Sequence, residues 1–97
     1  MQTIEKLKAT LASHKDELAR NYKVKEIGIF GSYVRHEQKK KSDVDVLVTF
    51  TETIDLFQFV ELENYLSDLL GVKVDLVMKD GIKPRLKERI LNEAVYV

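Results

Sequence analysis

The chain has 97 residues, 44% of them hydrophobic and 33% charged, which suits one globular domain spanning 1–97 and leaves little room for a second core. Sixteen Lys and Arg balance sixteen Asp and Glu, so the chain lacks the basic excess of a general nucleic-acid binder, and no stable nucleic-acid partner is expected. The absence of cysteine excludes a disulfide scaffold and thiolate chemistry, and no signal peptide or long apolar run is visible; a cytoplasmic protein without membrane contact is expected.

Residues 3–20 have Ile4, Leu7, Leu11 and Leu18 at near-helical spacing, with Thr3 as N-cap and Asn21 as stop. Residues 24–30 (VKEIGIF) read as a strand closing at Gly31, followed by a short helical turn from Ser32. Polar residues 36–42 make a loop. The next strand, DVDVLVTF (43–50), alternates Val44, Val46 and Val48 on one face with Asp43, Asp45 and Leu47 on the other.

A helix over 56–70 has stronger signals. Asp55 and Gln58 form a capping-box pair, Ile54 and Phe59 stand at staple positions, and Gly71 suits the residue after the C-cap. Its apolar stripe is Leu56, Phe59, Val60, Leu62, Leu66, Leu69 and Leu70. Residues 72–78 (VKVDLVM) form another strand with Lys73, Asp75 and Val77 on its second face. Gly81 and Pro84 punctuate a turn, Pro84 fits the first position of a helix over 84–93, and AVYV suits a short terminal strand. The order implies an α/β (α+β) fold, a small mixed sheet flanked by helices. The lysines at 39–41 and the basic residues Lys83, Arg85, Lys87 and Arg89 read first as solvated surface.

Asp43 and Asp45 require a reason to stand in a strand. Carboxylates at i and i+2 lie about 6.5–7 Å apart and repel by roughly 2–2.5 kcal/mol at an effective dielectric near 20. Convergence on a divalent cation would relieve that tension, and hard oxygen ligands favour Mg²⁺ or Mn²⁺. Asp75 adds a third carboxylate if its strand lies beside the first in register. Gly31 would let the backbone approach a phosphate closely, and Ser32 adds a hydroxyl. Arg35 suits a phosphate clamp or an ion pair with Glu37. Taken singly, each feature has a plain structural reading: acids bonding nearby N–H groups, an exposed strand residue, a common turn.

Together, Gly31-Ser32, ten residues, then Asp43-Val44-Asp45 resemble the signature of DNA polymerase β-like nucleotidyltransferases. Length, Arg35, Ser42-Asp43 and the later Asp75 resemble the minimal nucleotidyltransferase (MNT) branch, the antitoxin of HEPN/MNT toxin–antitoxin systems. The resemblance implies a nucleotidyltransferase fold with Mg²⁺ as cofactor and ATP as substrate. It implies that Gly31, Ser32 and Arg35 bind the nucleotide. It makes Asp43, Asp45 and Asp75 catalytic and metal-binding, with Asp75 also activating the acceptor. The partner it implies is a HEPN ribonuclease toxin, AMPylated on a tyrosine hydroxyl and held in a hetero-oligomer. Many relatives carry a small residue, often glycine, after the arginine, whereas His36 stands here, a departure that would change the loop shape and bears on the role of Arg35. Two other functions fit: an antitoxin that masks its toxin by binding alone, and an enzyme modifying RNA ends or small-molecule hydroxyls.

Overall fold

The computed structural model describes residues 3–39 and 42–97. Helix α1 (Ile4–Ser13) and helix α2 (Lys15–Tyr22) occupy the expected first helix, which breaks at His14. The break has a local cause. The Ser13 hydroxyl donates to the Thr10 carbonyl at 2.9 Å, and His14 Nδ1 lies 2.9 Å from the same oxygen. These side chains compete with the helical ladder for its acceptor. Helix α2 runs past Asn21 and stops at Lys23, whose φ of +61° is left-handed.

Strand β1 (Val24–Phe30) matches the expected span, while β2 (Val44–Phe50) and β3 (Val74–Met78) start slightly later than expected, leaving Asp43 one residue ahead of β2. Helix α3 (Leu56–Leu70) has the expected bounds because both ends are chemically marked. Asp55 accepts from the Gln58 N–H at 2.8 Å, Gln58 accepts from the Asp55 N–H at 2.9 Å, and Gly71 takes φ +70°. Helix α4 (Pro84–Glu93) starts at its proline, and β4 (Val95–Tyr96) ends the sheet.

The sheet order is β3-β2-β1-β4. Strands β2 and β3 are parallel; β1 pairs antiparallel with both β2 and β4. One face carries the main core, in which Leu7, Leu11, Leu18, Leu62 and Leu66 pack on Ile27, Ile29, Val44, Val46 and Val48. The opposite face carries a smaller cluster of Phe30, Leu47 and Ile82, against which Ile90, Leu91 and Ala94 pack. Leu47, on the acidic face of β2, is therefore buried as fully as Val46. Val95 and Val97 pack against the main core, and β4 is an edge strand of the sheet.

The outer edge of β3 is also closed. The Val74 N–H donates to Ser67 Oγ at 3.0 Å, and the Leu76 N–H donates to Glu63 Oε2 at 2.9 Å. Side chains of α3 thus satisfy donors that a naked edge would present to another strand. The apolar stripe on α3 is narrower than its sequence suggests. Leu62, Leu66 and Leu70 are buried, but Leu56 and Val60 are exposed, because the first turn of α3 lies at the sheet's rim beside Met78. Of the lysine run at 39–41, Lys39 is exposed, and Lys40 and Lys41 lie outside the described residues.

Candidate active site

The register of the three central strands brings the acids together. Phe30 pairs with Asp45 across β1 and β2, and Asp45 pairs with Asp75 across β2 and β3. Adjacent strands lie about 4.8 Å apart, so the Asp45 and Asp75 side chains leave the same face as direct neighbours. Asp43, just before β2, is exposed, and its Oδ2 lies 3.9 Å from Lys73 Nζ. Like charges placed so are unfavourable unless something neutralises them. Half-buried Asp45 shows the consequence: burial first, then Asp75 and Asp43, push its pKa up to about 6, against an opposing pull from Arg35.

Gly31 follows β1 at φ +80°, a conformation that disfavours any side chain. It opens a three-residue 3-10 turn, Gly31–Tyr33, that includes Ser32. The expected short helical turn is present and starts one residue earlier, at Gly31, with Phe30 at its N-cap position. Such a turn offers free N–H groups but no appreciable helix dipole. A side chain at 31 has no space either, since a Cβ there would sit 2.1 Å from Asp45 Oδ2. The glycine therefore lets the turn pass directly over the Asp45 carboxylate.

Arg35 makes the ion pair with Glu37, Nε to Oε2 at 3.1 Å, and a second one that sequence reasoning missed. Its Nη1 donates to Glu93 Oε1 at 2.5 Å. The other carboxylate oxygen of Glu93 accepts from the Gly31 N–H at 2.9 Å. Burial works against the charge of Glu93, but the hydrogen bonds from Arg35 and Gly31 outweigh it and hold the carboxyl below its usual range. A cavity of about 260 Å³ opens here, lined by Gly31, Arg35 and Asp45 and by Leu86, Arg89, Ile90 and Glu93 of α4. Arg89, exposed like the rest of its basic run, also lines this cavity. Amphipathic spacing on α4 was the available signal, but only the sheet register shows what the helix covers.

His36 follows Arg35 with φ +58°, left-handed like Gly31. A non-glycine residue there costs about 1–2 kcal/mol, partly offset because glycine loses more entropy on folding. His36→Gly is expected to stabilise the fold by about 0.5–1 kcal/mol. Denaturant unfolding checks this, and an unchanged or lower midpoint would show that the histidine ring makes compensating contacts.

Among the described residues, no set of three or more His, Cys, Asp or Glu is gathered tightly enough to hold a metal ion. The acids are neighbours, not a closed cage. Among the described residues, too, no helix is long and apolar enough to cross a membrane.

A family model described as a nucleotidyltransferase domain matches residues 11–97. The chain belongs to the nucleotidyltransferase family. A sequence from Methanocaldococcus jannaschii, provisionally named a protein adenylyltransferase, is 56% identical over 98 residues and spans 100% of both chains. The protein adenylyltransferase MntA of Thermococcus cleftensis is 52% identical, covering 100% of this chain and 98% of its own. Among solved structures, a provisionally described minimal nucleotidyltransferase is 37% identical with a TM-score of 0.81, covering 97% of this chain and 95% of that one. This nucleotidyltransferase therefore has the fold and size of the minimal branch. A toxin–antitoxin complex solved with AMP-PNP is 28% identical with a TM-score of 0.71, covering 87% of this chain and 69% of that chain.

Proposed function

We propose that this nucleotidyltransferase is an antitoxin that transfers AMP from ATP to a tyrosine hydroxyl of a partner HEPN toxin and so neutralises it. The observation that carries the reading is the in-register pair Asp45 and Asp75 beneath the Gly31 turn. The relatives named protein adenylyltransferases and the related toxin–antitoxin complex with AMP-PNP support the activity, the nucleotide and the class of partner.

The donor set fits a hard divalent cation. It consists of carboxylates alone, with Asp45 and Asp75 side by side across β2 and β3 and Asp43 one residue before β2. Mg²⁺ commonly takes one or two carboxylates together with substrate phosphates, which suits acids that form no closed cage. Asp43 and Asp45 would hold the ion, which when bound neutralises charge developing on the phosphates.

The remaining roles belong to the chain's own side chains. The turn N–H groups, the Ser32 hydroxyl and Arg35 bind and orient the triphosphate. Asp75 accepts the proton of the tyrosine hydroxyl, whose unperturbed pKa of about 10 keeps it protonated at neutral pH. The phenolic oxygen forms a bond to the α-phosphorus while the bond to pyrophosphate breaks, and pyrophosphate leaves with its electron pair.

Intact-mass measurement of the partner after incubation with ATP and Mg²⁺ tests the reading. The expected result is an AMP-sized increment that Asp75→Asn greatly reduces while ATP binding persists. Neutralisation of the toxin with no mass change, by wild type and acid variants alike, would establish masking instead.

A further inference from the structure

Glu93 is the last residue of α4, where the helix macrodipole disfavours an anion. Its side chain is only 14% exposed, which disfavours the charge further. Both penalties are met at one place. One carboxylate oxygen takes the Gly31 N–H at 2.9 Å, and the other takes Arg35 Nη1 at 2.5 Å. Those two groups flank the Asp45 carboxylate in the same cavity, and Arg89, one turn earlier on α4, adds a favourable charge.

We propose that Glu93 is a positioning residue for the nucleotide: its carboxylate fixes the Gly31 peptide and the Arg35 guanidinium in the orientation that receives the triphosphate. The inference rests on the reading of this site as ATP-binding. The chemistry of the two donors supports positioning. The Gly31 N–H points to Glu93, so the next N–H groups of the turn, at Ser32 and Tyr33, are the ones that a helical start leaves without intrahelical acceptors. A guanidinium has five N–H donors in a fixed fork, so Arg35 can hold Glu37 and Glu93 and still present donors to phosphate. Without Glu93, both the arginine and the turn lose the contacts that tie them to α4.

Glu93→Gln is the informative variant, because an amide has one acceptor oxygen where the carboxylate has two. It satisfies Gly31 or Arg35 but turns an N–H donor toward the other. Calorimetric titration with ATP and Mg²⁺ on wild type, Glu93→Gln, Arg35→Ala and the double variant reads the effect. Glu93→Gln is expected to weaken ATP binding by about tenfold or more, the scale of one hydrogen bond to a charged group. The double variant should lose less than the two single losses together, since the Arg35–Glu93 contact is removed by either substitution. If Glu93→Gln unfolds, Glu93→Asp replaces it, keeping the charge on a stem too short to bridge both donors. Unchanged or tighter ATP binding, or losses that simply add, would overturn the positioning role while leaving the proposed function intact. A wild type that fails to bind ATP overturns that function, and this inference with it.

Discussion

Asp45→Asn is expected to make the nucleotide-free protein more stable at neutral pH while lowering AMP transfer by roughly 10²–10³-fold or more, the scale seen when one electrostatic stabiliser is removed. The two effects share one origin. The Asp45 carboxyl is raised from 3.8 to about 6 by burial and by its acidic neighbours, so its ionisation works against the folded state. A group whose pKa is raised on folding contributes stability that is complete below its unfolded value and is lost as pH rises through the folded value. The window is therefore about pH 4 to 6. A shift of this size corresponds to about 3 kcal/mol at full strength, and solvent screening of a half-exposed carboxylate reduces it to about 1–2 kcal/mol. Asparagine removes the charge and keeps the shape.

Urea unfolding in chelator at pH 4 and pH 7.5 checks the sign. The variant's advantage over wild type should be small at the lower pH and reach about 1–2 kcal/mol at the higher. Addition of Mg²⁺ and ATP should stabilise wild type at pH 7.5 more than the variant, which lacks one of the two carboxylates that would hold the ion. A variant less stable than wild type at pH 7.5 would mean that Asp45 is satisfied by hydrogen bonds, and the case for a cation at this position would weaken with it.

How much of this was legible in the sequence differs from element to element, for physical reasons. Helix α3 could be bounded to the residue because its signals are local: Asp55, Gln58 and Gly71 act within one turn of themselves. The alternation around Asp43 and Asp45 likewise fixes which side chains share a face. What the alternation could not supply is the neighbour. Asp75 matters because β3 lies parallel to β2 with Asp45 opposite it, and a pairing register depends on the whole sheet. The break at His14 was hidden because apolar spacing continues through it, while the competing Thr10, Ser13 and His14 bonds leave no mark on periodicity. Glu93 was least legible. It stands 62 residues from Gly31 and 58 from Arg35, and it meets them only because β4 returns the chain beside β1. Leu56 and Val60 show the opposite failure, since a helical stripe reports apolar character without reporting whether a sheet lies underneath.

Gly31→Ala is expected to destabilise the fold by about 2–3 kcal/mol and to abolish ATP binding, a large effect for one added methyl group. Two terms contribute. At φ +80° an alanine pays about 1–2 kcal/mol of left-handed strain, slightly offset by the reduced freedom of its unfolded chain. The new Cβ would also fall 2.1 Å from Asp45 Oδ2 and 3.0 Å from Asp45 Cγ, so the carboxylate must swing away from its place beside Asp75. Valine at 31 is worse, because a β-branched residue tolerates positive φ least. The two terms can be separated. In an Asp45→Ala background the oxygen and Cγ are gone and only the Cβ remains, at 3.3 Å, so Gly31→Ala should there cost about 1 kcal/mol of strain alone. The difference between backgrounds is the coupling energy of the turn and the acid, read from four denaturation curves. A coupling near zero would mean that the turn yields without disturbing Asp45. Glycine would then be required at 31 for its dihedral angle only, and the close passage of the turn over the carboxylate would have no part in shaping the site.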